Sequence, residues 1–180
     1  MISIKEYELV PDKNGENKYY VRSKEQSICP ICSSAVLKVI GSRNRKVIKS
    51  CGEELILIIR RLRCSSCKKI HHELPDNIVP YKRYSSESIE AILDSTQNTV
   101  SSEESTIYRI RKWFDEISGY FARCLAAIAS RWGLKVLTGQ LSSIYRIKAY
   151  VGCESKWLAS VVRLMVNSNL WVHTRSAFLS

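Results

Sequence analysis

Two Cys-x-x-Cys pairs constrain this chain more than any other feature of its sequence. The pairs are Cys29–Cys32 and Cys64–Cys67, and 31 residues lie between them. Two residues between cysteines let both thiolates of a tight turn face one cation, so two such turns can supply four tetrahedral sulfur ligands. The pattern predicts a ribbon in which both knuckles end β-hairpins. One structural Zn²⁺ would be held by Cys29, Cys32, Cys64 and Cys67.

Other uses of four cysteines are weighed against zinc. Disulfides do not suit a chain with seven cysteines and no export signal. A redox dithiol would need one pair beside a βαβ pattern, whereas both pairs here stand among strand patterns. An iron–sulfur cluster also takes four cysteines and stays open as the alternative. We interpret His71 and His72 as surface or phosphate contacts, because four cysteines already complete the site.

The residues between the pairs have the pattern of β-strands. Short apolar and mostly β-branched runs occur at 36–40, 47–48 and 55–59. Gly52 lies between two of them and predicts a hairpin turn with positive φ, and Cys51 is interpreted as a turn residue. Residues 69–74 predict a further strand. We therefore assign residues 22–75 to the ribbon, after an N-terminal extension at residues 1–21.

The positive charge of the chain is concentrated in the same segment. The formal net charge is +11, and residues 22–83, with fourteen basic and five acidic residues, account for +9 of it. Concentrated positive charge attracts polyanions by Coulomb steering and by release of phosphate counterions. A solvated surface that keeps the protein in solution is the alternative. The predicted nucleic-acid contacts in this segment are Arg43, Arg45, Lys46, Arg60, Arg61, Arg63, Lys68, Lys69, Lys82 and Arg83.

Residues 76–84 connect the ribbon to a region of different character. Pro75 and Pro80 favour an extended backbone, and two tyrosines bracket Lys82 and Arg83. Such a segment is typical of a basic arm along a phosphate backbone or in a minor groove. A linker whose tyrosines pack on the ribbon is an equal alternative.

The pattern becomes helical after Tyr84. Residues 85–133 predict one helix ending near Ser95 and a second that opens with a capping box, Ser101 to Glu104, and stops at Gly133. The second helix carries one apolar stripe, more typical of core than of a dimer seam. Two helices with Thr and Arg near the start of the second suggest a helix-turn-helix, with an ordinary helical hairpin as the alternative. Its predicted contacts, on the helix from Ser102, are Thr106, Arg109, Arg111 and Lys112.

Six stretches together resemble a family of uncharacterised bacterial proteins that carry a domain of unknown function. The stretches are 29–32, 58–64, 69–75, 79–84, 104–107 and 169–178. The front part of this family is similar to the N-terminal zinc ribbon and helix-turn-helix of insertion-sequence transposases. The resemblance implies DNA binding and an origin in mobile elements, with a mobile-element protein as one partner.

The sequence lacks the motifs of common catalysts. It has no Gly-rich phosphate loop and no Gly-x-Ser-x-Gly elbow. A transposase nuclease domain needs separated carboxylates for two magnesium ions, and only eight acidic residues follow Tyr84. A zinc ion held by four cysteines leaves no open position for water. We therefore expect a protein that is not an enzyme.

The expected fold is α+β: a small β zinc ribbon followed by a mostly helical region with a helix-turn-helix-like element, and a further helical region at residues 134–180. The expected function is DNA binding, to duplex in the first place, with RNA left open. A protein-interaction module with the ribbon as scaffold is the alternative.

The apolar runs are shorter than the roughly 18 residues of a membrane helix, and acidic residues interrupt the N-terminal stretch. We expect a cytoplasmic protein without membrane contact, and a homodimer stays open.

Overall fold

The computed structural model describes residues 1–13, 15–94, 100–137, 141–152 and 155–172. The predicted break after Ser95 and the last part of the stretch 169–178 lie outside these residues. The chain is α+β, as predicted, with a curled mixed sheet followed by four helices. The elements are β1 (Ile2–Ile4), β2 (Tyr7–Pro11), β3 (Lys18–Ser23), β4 (Leu37–Ile48), β5 (Glu54–Cys64), β6 (Ile70–Pro75), α1 (Ser86–Asp94), α2 (Glu104–Arg131), α3 (Ser143–Val151) and α4 (Trp157–Asn167).

Strand β5 is the centre of the sheet. One of its edges pairs with β4 along the whole length of both strands, in antiparallel orientation. Its other edge is shared, because β3 pairs in parallel with the first half and β6 pairs antiparallel with residues 61–63. The apolar run that begins β5 is therefore covered on both sides, and Leu55, Leu57 and Ile59 are buried in the core of the sheet.

The β4–β5 hairpin forms where the sequence predicts it. Its turn follows Lys49, and the N–H of Gly52 donates to the carbonyl of Lys49 over 3.0 Å. Gly52 has φ +85°, and a β-carbon there would lie 3.2 Å from the hydroxyl oxygen of Ser101. Glycine is therefore required by conformation and by space. Cys51 is exposed in the turn, as expected.

The first residues of the chain belong to the sheet. Residues 1–21, assigned to an N-terminal extension, contribute β1, β2 and most of β3. Strand β1 is buried between β6 and α4, where the backbone of Ser3 exchanges two hydrogen bonds with the side chain of Asn167 over 2.8 and 2.9 Å. A three-residue strand carries too short a pattern to be predicted from sequence.

The four helices pack around the apolar stripe of α2. All seven predicted stripe positions are buried, so the stripe is core, and Gly119 does not interrupt the helix. The predicted capping box at Ser101 is wrong, because α2 begins after Glu103 and no side chain caps it. Nine residues connect α1 to α2, whereas a helix-turn-helix turn has about three to four.

None of the helices in the described part of the chain is both long and apolar enough to cross a membrane.

Candidate metal centre and cationic face

The two Cys-x-x-Cys segments fold into matching knuckles. In the first, the N–H of Ser33 donates to the carbonyl of Cys29 over 2.9 Å; in the second, the N–H of Lys68 donates to the carbonyl of Cys64 over 3.1 Å. Ser33 and Lys68 occupy the same place, four residues after the first cysteine, and have φ +57° and +61°. The shared backbone geometry turns both cysteines of each pair toward one point.

The four sulfur atoms meet at that point. They all lie within 4.8 Å of one another. The Sγ atoms of Cys29 and Cys67 are 3.6 Å apart, and those of Cys32 and Cys64 are 3.5 Å apart. Zinc–sulfur bonds of about 2.3 Å in a tetrahedron place the sulfurs about 3.8 Å apart, so the arrangement fits such an ion. The donor set suits Zn²⁺ or iron.

The backbone prepares Cys64 for metal binding. The N–H groups of Cys67 and Ser66 donate to its sulfur and lower the pKa of Cys64 to about 6. Metal ions bind the thiolate and not the thiol. These hydrogen bonds therefore favour the thiolate form of Cys64, the form that binds a metal ion.

His71 lies behind the metal centre and not on the surface. Its Nε2 is 3.3 Å from the Sγ of Cys29, and the residue is only 3% exposed. Burial lowers the pKa of His71, so the ring is neutral and can donate one N–H to the cysteine sulfur. The surface contact expected at this position is wrong. The sequence offered no signal for this burial, because the alternation of β6 groups His71 with Glu73, whose burial is known only from the structure.

The register of β4 and β5 sorts the basic residues of the ribbon onto two faces. Residues directly opposite each other in an antiparallel pair point to the same side. Lys38 lies opposite Arg63, and Arg61 lies opposite Gly41 and His72. One face therefore carries five cations of β4 and β5, which we call the cationic face: Lys38, Arg43, Arg45, Arg61 and Arg63. Lys38 was not among the predicted contacts.

The other side of the ribbon carries cations that are already neutralised. Arg60 forms a bidentate ion pair with Glu73 over 2.7 and 2.8 Å, and Glu73 is 0% exposed. The hydroxyl of Ser27 donates to the same carboxylate over 2.6 Å. Lys46 pairs with Glu54 over 2.6 Å. We call this the paired face: Lys46, Glu54, Arg60 and Glu73.

The cationic face has no such compensation. Within the described ranges, none of its five side chains forms an ion pair with a carboxylate. Burial and then the positive charges of Arg43 and Arg61 lower the pKa of the neighbouring His72. Burial and the charge of Arg43 likewise lower the pKa of Arg45, whose Nε is buried without a hydrogen-bond partner. These five cations therefore have no carboxylate partner, and they share their side of the sheet with the buried Leu55, Leu57 and Ile59.

The segment of residues 76–84 is docked against the ribbon. The N–H of Ile48 donates to the carbonyl of Arg83 over 2.8 Å, and Arg45 donates to the carbonyl of Lys82 over 2.7 Å. The ammonium of Lys82 lies 4.1 Å from the ring centre of Trp113 on α2, and burial lowers the pKa of Lys82 to about 8. These contacts describe a packed linker that joins the ribbon to α2.

The remaining predicted contacts lie on two surfaces. Lys68 and Lys69 are exposed on the second knuckle. On α2, Arg109, Arg111 and Lys112 are exposed and Thr106 is half-buried. Arg111 also donates to the carbonyl of Ile92 over 3.3 Å, which ties α2 to α1. The structure thus brings the basic residues into a ribbon group and a helix group, with the residue 76–84 segment between them.

Comparison with known proteins gives one result for part of the chain. Residues 29–110 match the model of a family described as Domain of unknown function (DUF6431). The comparisons with curated proteins and with solved structures returned no match. The matched range runs from the first candidate metal ligand through β4, β5, β6 and α1 into the second turn of α2. This part of the chain is therefore similar to a family of unknown function, and the matched range includes all four clustered cysteines and the whole cationic face.

Proposed function

We propose that this chain is a non-catalytic DNA-binding protein whose metal-stabilised β ribbon holds phosphates with the cationic face. One observation carries the proposal: strand register collects five cations, none of them paired with a carboxylate, on a single side of β4 and β5. Like charges on directly opposed strand positions, as at Lys38 and Arg63, are destabilising unless an anion lies between or above them. A polyanion would neutralise the whole row at once.

The shape of the ribbon suits duplex nucleic acid. Strand β4 lies at an edge of the sheet, and basic side chains along β4 and the neighbouring β5 can contact phosphates of a duplex. Strands β4 and β5 pair over eleven residue pairs, so the cationic face is extended. The metal would be a structural zinc ion, and a metal held by four cysteines has no open coordination position for catalysis.

Helix α2 supplies a second group of contacts in this proposal. The ion–ring contact between Lys82 and Trp113 couples the docked segment beside the ribbon to α2. Trp113 lies next to Lys112 and one helical turn after Arg109. These two exposed cations therefore flank the residue that contacts Lys82. We assign base recognition to this part of α2 and phosphate binding to the ribbon. A transposase-like origin rests on the sequence resemblance alone.

A protein-interaction module is the second candidate, and one observation favours it. Several apolar side chains around the knuckles and along β4 are exposed to solvent: Ile31, Val36, Val39, Ile40 and Ile70. Exposed apolar residues grouped in this way are typical of protein contact surfaces. In this alternative the metal centre only shapes the surface, and the cationic face keeps the protein in solution.

A salt titration of duplex affinity distinguishes the two functions. We expect affinity of the metal-loaded protein for random duplex DNA to fall steeply between about 50 and 200 mM salt. The double variant Arg43→Gln/Arg61→Gln should bind about tenfold more weakly and lower the salt slope by about 2, because two phosphate contacts are lost. Fluorescence anisotropy measures both quantities.

The matched control removes the same charge from elsewhere in the sheet. Arg22→Gln/Lys46→Gln lowers the net charge equally but leaves the cationic face intact. If both double variants weaken binding equally, net charge and not the cationic face determines affinity. If the wild-type protein binds no nucleic acid at any salt concentration, the DNA-binding proposal is wrong and the protein-interaction function takes its place.

A further inference from the structure

A cavity of about 370 Å³ lies where the cationic face meets the second knuckle. Its lining consists of Lys38, Ile40, Arg63, Cys64, Ser65 and Lys68. This volume is at the small end of the range of ligand pockets, about 300 to 1,000 Å³. Three of the six lining residues are cations, and none of the six is acidic.

The cations of the cavity are positioned by backbone structure. Lys38 and Arg63 are direct cross-strand neighbours on β4 and β5. Lys68 is the residue with positive φ in the second knuckle, which sets the direction of its side chain. Its ammonium donates to the carbonyl of Ser65 over 2.5 Å. Three exposed cations therefore line one cavity without a carboxylate, and their mutual repulsion is relieved when an anion is bound.

Ser65 provides an independent sign of a missing partner. The residue lines the cavity, and its hydroxyl oxygen is one of four buried serine hydroxyls without a hydrogen-bond partner in the described part of the chain. A buried hydroxyl without a partner costs about 1–3 kcal/mol, and native structures contain few of them. A phosphate in the cavity would neutralise the three cations, and an oxygen of it that reached the Ser65 hydroxyl would also satisfy that group.

We propose that this cavity binds a phosphate group of a nucleic-acid strand. The identification of the strand rests on the DNA-binding function proposed above, whereas the phosphate chemistry rests on the cavity itself. Ile40 bulges from β4 beside the cations, where the register shifts between Val39 and Gly41. Its apolar side chain can pack against the sugar attached to the phosphate. The phosphate is either a backbone diester or a terminal 5′-monoester.

The cavity is built on the metal centre. Cys64 belongs to both, and the N–H of Lys68 is held by the carbonyl of Cys64. Loss of the metal releases the knuckle that positions Lys68 and Ser65. Phosphate binding in the cavity therefore requires the metal-loaded protein.

The first experiment tests the cavity with inorganic phosphate. Phosphate is titrated into the metal-loaded full chain at constant ionic strength, and backbone amide shifts are followed by NMR. We expect the amide chemical shifts of Ser65 and Lys68 to change with phosphate until saturation, whereas chloride does not change them. Lys38→Gln should weaken this binding about tenfold, while Lys46→Gln, the same change on the paired face of the same strand, leaves it unchanged. Absence of saturable shifts, or equal weakening by both variants, overturns the proposal.

The second experiment identifies the source of the phosphate and separates this proposal from the proposed function. Wild-type and Lys38→Gln proteins are compared on one duplex with and without 5′-phosphates. A terminal site predicts tighter wild-type binding to the phosphorylated duplex and loss of that difference in Lys38→Gln. A backbone site predicts no difference between the duplexes and equal weakening by Lys38→Gln on both. If duplex binds but Lys38→Gln has no effect on either, the cavity proposal fails while the proposed function stands. If no duplex binds, the assignment to nucleic acid fails.

Discussion

The two faces of the β4–β5 ribbon carry the same kinds of side chain in opposite electrostatic surroundings. Arg60 and Arg61 are neighbours in sequence, yet one holds the buried carboxylate of Glu73 and the other belongs to the unpaired cationic face. An arginine paired with a buried carboxylate stabilises the fold, whereas an arginine without a carboxylate partner can bind an anionic ligand. Counting charges along a strand cannot distinguish a paired arginine from an unpaired one, because the distinction depends on which residues lie beside it on each face.

Disruption of the four-cysteine cluster is expected to have the largest effect on this comparison, because Cys64 ends β5, which carries both Arg60 and Arg61. Structural thiolate sites contribute on the order of 10 kcal/mol to folding. Cys64→Ser should abolish stoichiometric metal binding and expose the amides of β4 near Leu37 to hydrogen exchange. Metal analysis and exchange mass spectrometry measure these changes.

The exposed Cys51 is the control for that experiment. Cys51→Ser should keep one metal per chain and the wild-type exchange pattern, since the residue lies in the hairpin turn outside the cluster. Retention of a full equivalent of metal in the Cys64→Ser protein would contradict the four-cysteine site.

The neighbouring arginines give the next largest effect. Arg60→Ala should lower the free energy of unfolding by about 3–5 kcal/mol, because it leaves Glu73 charged and buried without its partner. Arg61→Ala should change it by less than about 0.5 kcal/mol, because its side chain has no carboxylate partner. Urea denaturation measures both. Similar losses for the two variants would show that the two faces do not differ in the way the register indicates.

A third, smaller effect tests whether burial of the carboxylate determines how much an ion pair contributes to the free energy of unfolding. Arg163 on α4 binds the carboxylate of Glu25 in a bidentate pair over 3.0 and 2.8 Å, but Glu25 is partly exposed, unlike Glu73. Arg163→Gln should therefore cost at most about 1 kcal/mol. Chemical denaturation with Lys24→Gln, which breaks an exposed pair with Glu8, provides a near-neutral control.

The same pair has a defined pH dependence. Hydrogen bonds from Arg163 are the main cause that lowers the pKa of Glu25 below its ordinary value of 4.5. Its stabilisation is therefore fully present above pH 4.5 and is lost as the pH falls through the lower pKa of the folded state. The stability curve of Arg163→Gln should be flatter than that of the wild type below about pH 5. An identical slope in both proteins would show that the pair does not contribute.

Several parts of the molecule follow from local sequence. The cysteine spacing located the candidate metal ligands, and Gly52 located the hairpin turn, because both depend on residues a few positions apart. The stripe of α2 was predicted because its 3.6-residue period extends over seven apolar positions. Helix ends were less certain, as the wrong capping box at Ser101 shows.

Other parts could not be predicted from local sequence. Strands β1 and β3 pair with β6 and β5, far along the chain, and β2 joins the sheet through β3; all three carry weak patterns of their own. His71 is buried behind Cys29, 42 positions away in sequence. Lys38 joins the candidate phosphate cavity only because β4 places it opposite Arg63.

The sequence by itself determined the α+β class, the four-cysteine cluster and the segment in which positive charge accumulates. These properties depend on composition and on short-range spacing, which the chain carries in any conformation. Tertiary structure alone decided which cations are paired and which are unneutralised, and which hydroxyl lacks a partner. The reason is that strand register is set by contacts between distant residues, and a shift of one residue would exchange the two faces of the ribbon.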